Sequence, residues 1–293
     1  MLLANIPLFD QLVHILSGVL TAIHAVIPNY GWALIVLALL VRLVMWPLTE
    51  IQFRSMAEMQ KVQPLVKALQ ARYKGDPQKL NAEMMALYKE HKVNPLAGCV
   101  PMLIQFPILI GLYWAIQGQI QEKGSVFPQE HWLWIGSALS QHIPQIFASS
   151  LALPDIFLLV LYVISMYFTV RYGSPPSQDP QQAQTQKIMA FLSPAMIAYF
   201  GFQYKWASAL YIYWLATNVF TVAQQFWMFR RFGLIGPKAV ENRAAAAALA
   251  AQYAAPGEAP MSNRAKQRSL KNGSGTPSAN GKRNDGPKKR AKR

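Results

Sequence analysis

Apolar residues fall in six blocks along the chain, and the rhythm inside each block predicts a helix. In the first, residues 8–27, Phe9, Leu12, Val13, Leu16, Val19, Leu20, Ile23 and Ile27 share one helical face. Asp10, His14, Ser17, Thr21 and His24 form a stripe on the other. A polar stripe repeating at three and four residues describes an amphipathic helix lying in a membrane interface. A span packed against other spans is the alternative. Pro28, Asn29, Tyr30 and Gly31 make a turn. The second block, residues 32–50, reads WALIVLALLVRLVMWPLTE. A run this long with one internal charge, Arg42, predicts a transmembrane helix.

The pattern then changes. Residues 52–94 carry Arg54, Lys61, Lys67, Arg72, Lys74, Lys79, Lys89 and Lys92 against Glu58, Asp76, Glu83 and Glu90. Met56, Met59, Val62, Val66, Leu69 and Tyr73 line one face of a first arm, which Pro64 is expected to kink or break. Gly75 is a stop, Asp76 an N-cap and Pro77 a first helical residue. Leu80, Met84, Leu87 and His91 mark the apolar side of a second arm, ended by Asn94-Pro95. The two arms form a helical hairpin whose charges are mostly a solvated face.

Four apolar blocks follow. Residues 96–116 hold two prolines and Gln105 and end in an aromatic belt at Tyr113 and Trp114. Residues 117–153 form a loop whose aromatic and isoleucine residues predict that it skims the interface. Residues 155–172 carry Ser165 and Thr169, and residues 188–202 form a short block interrupted at Pro194. Residues 207–229 include Trp214, Thr217, Asn218, Gln224 and Gln225. Beyond residue 230 lies a tail with a short helix at 244–251. Past Pro256 it is Ser, Gly, Pro, Asn, Lys and Arg, a composition that buries no core.

Composition fixes the class. The chain has 293 residues, 53% hydrophobic and 14% charged, where soluble domains carry about 25% charged. The expectation is an all-α polytopic membrane protein in three parts. These are an interfacial helix (1–30), a five-helix core (31–230, with spans 31–51, 96–116, 155–172, 188–202 and 207–229 around the 52–94 hairpin) and a basic tail (231–293). The net charge of +15 is concentrated in the hairpin, the loop bounded by Arg171 and Lys187, and the tail. The alternate loops hold only Lys123 and Lys205. The positive-inside rule therefore puts hairpin and tail in the cytoplasm and the N-terminus outside. Cys99 has no partner for an internal disulfide. The opening MLLANIPLFD shows no basic n-region or cleavage site, so no removable signal peptide is expected.

Enzyme chemistry finds no foothold. The five histidines are scattered, and no metalloprotease, phosphate-loop, nucleophile-elbow or dinucleotide motif occurs. No carboxylate lies deep in a span, and no cofactor or metal is implied. What remains is polar residues inside apolar helices: Arg42, Gln105, Ser165, Thr169, Trp214, Thr217 and Asn218. Arg42 sits about 15 Å along the helix from Trp32, near mid-depth. A guanidinium there costs about 3 kcal/mol and cannot shed its proton. Snorkelling or a structural contact is one reading of it. Convergence with the other six into a wet, positive pocket is the other. Such a pocket would receive the polar part of a chain while its apolar part moves into lipid. A small-anion transporter or channel, or a purely structural assembly factor, would also use a lone intramembrane arginine.

The stretch from Arg42 to Trp114 resembles the YidC-type membrane protein insertases. The resemblance is carried by VRLVMWPL, KGDPQKLNAEMMALYKEHKVNPLAGCVPMLIQFPILIGLYWAI, SPPSQDPQQAQTQKIM and LYIYWLATNVFTVAQQ, which together touch all five spans and the hairpin. It implies a five-transmembrane-helix insertase core with a cytoplasmic helical hairpin and a hydrophilic groove open to cytoplasm and lipid. In that groove Arg42 matches the family's arginine and Trp214 its fifth-span Leu-Tyr-Trp position. It implies insertion of nascent membrane proteins without nucleotide, alone or beside the Sec translocon, in a bacterial plasma membrane. The basic tail would contact ribosomal RNA or anionic lipids. The sequence departs from the pattern in three places. Only a short segment stands where Gram-negative members carry a large extracytoplasmic domain. The lipoprotein cysteine of many Gram-positive members is absent. The third-span glutamine of several members falls near Thr169 and Val170.

Overall fold

The computed structural model describes residues 7–94, 100–123, 125–173 and 180–254. The start of the second predicted span with Cys99, the polar loop at 174–179 and the tail from 255 lie outside the described residues. The described residues form ten α-helices, a short 3-10 turn at Phe127–Gln129 and one isolated bridge between Trp132 and Ile135.

Helix α1 (Pro7–Val26) uses its apolar face as the periodicity predicts. Leu16 and Leu20 are buried, and α1 packs along α5 (Val100–Gln121) and the start of α2 (Tyr30–Val44). Gly111 allows the approach, since a Cβ there would come within 3.2 Å of Leu12. The α1 polar stripe is not all turned to solvent. Ser17 accepts a hydrogen bond from Gln119 Nε2 (2.9 Å), and His24 meets Glu130.

The helix predicted over 32–50 is broken in the structure. Helix α2 stops at Val44, and α3 (Trp46–Arg72) leaves it at an angle of 55°. Met45 is the hinge, and Pro47, in the first turn of α3, has no N–H to continue the ladder from α2. Arg42 therefore lies in the last turn of a helix and not in its middle. Pro64, expected to kink or break α3, interrupts nothing: the helix runs through it to Arg72 while Val62 and Leu65 on either side are buried. Asp76 accepts from Lys79 N (3.0 Å) and opens α4 (Pro77–Glu90). Val62, Leu65, Leu69, Leu87 and Val93 zip α3 to α4.

Three further expectations change. The 117–153 segment does not merely skim a surface. Phe127, Trp132, Ile135, Ala148 and Leu151 are buried in the main core, and the segment includes the short helix α6 (Ala138–His142). Pro194 does not interrupt the fourth block, because α8 (Pro180–Tyr204) is continuous through it. Helix α7 (Ile156–Tyr172) packs between α8 and α9 (Ser208–Arg231). After α9 the chain turns through Gly233 and Gly236, both at positive φ, into α10 (Pro237–Ala254). The tail is thus helical over a longer stretch than 244–251, and α10 lies on α3, with Ala239 and Ala246 buried.

Among the described residues, α1 alone is long and apolar enough by itself to cross a membrane. The bent pair α2–α3 passes when its two helices are taken together, and α7 is a shorter apolar helix.

Candidate functional site

Helices α2, α3, α5, α7 and α9 enclose a cavity of about 330 Å³. Its main wall is one face of α9. Trp214, Thr217, Asn218, Thr221, Gln224 and Gln225 recur at three- and four-residue spacing, so they stack along one side of the helix. Trp214 closes the wall toward the 122–155 loop. Its ring stacks on Tyr162 of α7 (centroids 5.3 Å apart) and meets Trp206 edge-on (5.4 Å). At the other end the base of α3 contributes Thr49, Gln52, Phe53 and Met56, which the bend at Met45 folds over the cavity.

Arg42 reaches across from α2 to α9, where its guanidinium donates to Thr221 Oγ1. Thr221 in turn donates to the Thr217 carbonyl (2.5 Å). Among the described residues no carboxylate lines the cavity and Arg42 makes no ion pair. Its remaining N–H groups belong to a cation with five donors and no acceptor. The Trp214 indole Nε1 and the Gln224 amide Nε2 are buried without a hydrogen-bond partner. The Arg42 guanidinium therefore favours groups that bring acceptors or negative charge.

Of the seven residues singled out in the sequence, Arg42, Gln105, Trp214, Thr217 and Asn218 line the cavity. Ser165 stands behind the wall, accepting from Asn218 Nδ2 (2.9 Å) and donating to the Tyr162 carbonyl (2.7 Å). Thr169 is not in the lining; its hydroxyl donates to the Ser165 carbonyl of its own helix (2.9 Å). Thr221 was missed, and Gln224 and Gln225, noted in the fifth span, were left out of the candidate site, although continuing the Trp214–Thr217 spacing by two turns reaches all three. Thr49 and Gln52 had no such signal, because only the bend brings them here. Among the described residues no three His, Cys, Asp or Glu side chains gather as a metal site.

Most of the chain is similar to known proteins. The sequence profile of the family described as "60Kd inner membrane protein" matches residues 22–234. The "Membrane protein insertase YidC" of Ralstonia nicotianae is 37% identical over 220 residues, 74% of this chain and 35% of that protein. The protein of the same name from Burkholderia vietnamiensis is 36% identical over 224 residues, 76% of this chain and 36% of the relative. The chain thus spans about a third of the length of the curated relatives it matches. A solved structure described as "Active YidC insertase crystal structure with the first transmembrane domain resolved" superposes with a TM-score of 0.52 at 26% identity. That match covers 75% of this chain and 48% of the other. The chain belongs to the 60Kd inner membrane protein family, that of the YidC-type insertases.

Proposed function

We propose that this protein is a membrane protein insertase and chaperone that passes nascent membrane proteins into the bilayer through the cavity beside Arg42. The observation that carries the reading is the half-buried Arg42 on a polar wall with no carboxylate to neutralise it. A cation so placed attracts the polar or acidic part of an incoming chain. The apolar part then moves laterally into lipid, and the polar part crosses a shorter stretch of hydrocarbon. Nothing in this needs nucleotide or a covalent step.

In this reading five spans cross a bacterial plasma membrane: α2 with the base of α3, α5, α7, α8 and α9. The excess of Lys and Arg in the 52–94 hairpin and beyond Arg230 supports a cytoplasmic hairpin and C-terminus. The 122–155 loop and α1 then lie toward the outside. The hairpin is a first docking surface, and Arg42, Gln105, Trp214, Thr217 and Asn218 line the substrate groove. Ser165 supports that wall, and Thr169 marks its α7 edge. The protein works alone or beside the Sec translocon. The basic residues past Pro256 hold ribosomal RNA or anionic lipid by charge. No observation favours the small-anion transporter.

The test uses purified protein in liposomes and a single-span substrate with an acidic translocated tail, scored by protease protection of that tail. Wild type protects it, and Arg42→Ala lowers protection about tenfold with thermal stability unchanged, as for a lost charged contact. Equal protection by the mutant would remove Arg42 from the mechanism. No protection above empty liposomes would remove the insertase reading.

A further inference from the structure

Helix α3 covers one end of the cavity with Thr49, Gln52, Phe53 and Met56, yet the bundle itself holds it only sparsely. Among the described residues it touches α2, α5 and α9 at few points, and its most extensive partner is α10. The hinge at Met45 is a single residue between two helices, and such a hinge fixes no angle by itself. The angle of 55° must come from what α3 lies against. Helix α10 is rooted on the end of α9. Leu234, in the turn between them, is buried with Met228, Phe229 and Phe53 of α3. Its N–H donates to the Phe229 carbonyl (2.9 Å), and Asn242 Nδ2 reaches back to the Gly233 carbonyl (3.4 Å). From that root α10 runs along α3. Ala57, Gln60 and Lys61 lie across the seam from Ala239, Asn242 and Arg243. Ala246 is buried one turn on, and Ala250 reaches the cluster that zips α3 to α4. These α10 positions recur at three- and four-residue spacing, so they share one face. Alanine gives each contact only a methyl group, and burial scales with apolar area, so the seam is long but shallow.

We infer that α10 is a releasable strap, which braces α3 against α9 and so sets how far the base of α3 opens over the cavity. Docked, it makes the α3–α4 hairpin and the α9 wall move as one body. Released, it lets α3 swing at Met45 and exposes the cavity from that end. The ion pair between Glu50 of α3 and Arg231 of α9 (3.0 Å) is a second fastening close to the hinge. It is half-exposed at Arg231 and therefore weak. The strap is a property of the fold and not of what the cavity receives, so it stands or falls independently of the insertion reading.

The experiment uses the full chain in lipid nanodiscs. Met56→Cys, in a Cys99→Ser background, places a single thiol on the cavity side of α3. Its labelling by a water-soluble maleimide reports opening at that end, and hydrogen exchange of α3 and α7 amides reports where the opening occurs. Ala246→Glu and Ala239→Glu each drive a carboxylate into the seam while keeping a good helix former in α10. Ala244→Glu places the same charge on the exposed face of α10 as a control. Each seam variant is expected to speed labelling about tenfold, because a charge cannot stay buried there unpaired and α10 must leave. Exchange should rise in α3 and stay unchanged in α7. Ala244→Glu should change neither readout. Unchanged labelling or unchanged α3 exchange in the seam variants would overturn the inference. So would an equal response to Ala244→Glu, since the seam would then not be the cause. Faster exchange in α7 as well, or loss of the folded protein in both seam variants, would show that α10 holds the whole bundle together and would also overturn it. Where only one seam variant folds, that variant decides.

Discussion

The two ends of the helical bundle are both polar, and they treat their polar groups in opposite ways. At the loop end the groups are used up on one another. Glu130 meets His24 Nε2 (2.5 Å) with one oxygen and accepts from the first N–H of α2, at Tyr30, with the other. His24 stacks on the Tyr30 ring (3.9 Å), whose hydroxyl donates to Gln119 (3.1 Å). Asp155 is buried and accepts from Leu158 N (2.7 Å), Ala148 N (2.9 Å) and Trp134 Nε1 (3.2 Å). The backbone N–H groups of Ser208 and Ala209 donate to the loop carbonyls of Leu153 and Leu151. Trp132 Nε1 and, one turn into α9, Tyr211 Oη are exceptions. At the cavity end, among the described residues, Arg42 has no counter-ion, and Trp214 and Gln224 keep donors without partners. Satisfied networks rigidify a fold, and a buried polar group without a partner costs stability. One end is a seal and, in the proposed function, the other is a receiving surface, so substitutions at the two ends should separate stability from activity.

The largest effect is expected at Asp155. Its carboxylate caps α7 and fixes the loop through three donors, two of them backbone N–H groups in a buried setting. Asp155→Ala leaves them unpaired and should cost about 3 kcal/mol or more. Thermal unfolding in detergent reads this directly. A loss under about 1 kcal/mol would mean the seal does not hold the bundle together. Next in size is Gly31, at the start of α2, where an added Cβ would run into the Trp132 ring. Gly31→Ala should cost about 2 kcal/mol, as overpacking does. Trp132 fluorescence would report the displaced ring. An unchanged melt and spectrum would show that the loop yields freely there, and the contrast between the two ends would weaken.

Local signals in the sequence reached the structure, and long-range ones did not. Asp76-Pro77 opens α4 because a cap is decided within four residues. The α9 wall was legible in part because its spacing lies within one helix. The bend at Met45 was not, since a Trp-Pro pair is compatible with either a continuous span or a hinge. What folds α3 over the cavity is its packing with α9 and α10, through Phe53 and Ala57. The loop was misread because apolar residues between spans fit an interface as well as a core, and only the backbone bonds to α9 choose between them. Ser165 and Thr169 show the limit for the site. Their residue type marks them as polar, but each hydroxyl is spent on a carbonyl three or four residues back in the same helix.

The smallest stability change, and the sharpest separation, is expected at Asn218. Its amide donates to Ser165 Oγ (2.9 Å) and its side chain forms part of the cavity wall. Interhelical hydrogen bonds in membrane proteins average about 0.6 kcal/mol, because the freed groups find other partners. Ser165 keeps its bond to the Tyr162 carbonyl when Asn218 is removed. Asn218→Leu also adds apolar contact between α7 and α9, which offsets the loss. Its melting should therefore stay within about 1 kcal/mol of wild type. The wall would lose a polar group, and protection of an acidic tail should fall about threefold, the factor that 0.6 kcal/mol represents. A variant that melts early and inserts poorly in proportion would place Asn218 with the seal. A variant that melts normally and inserts poorly would place it with the receiving surface, where a group's contribution is made to the passing chain and not to the fold.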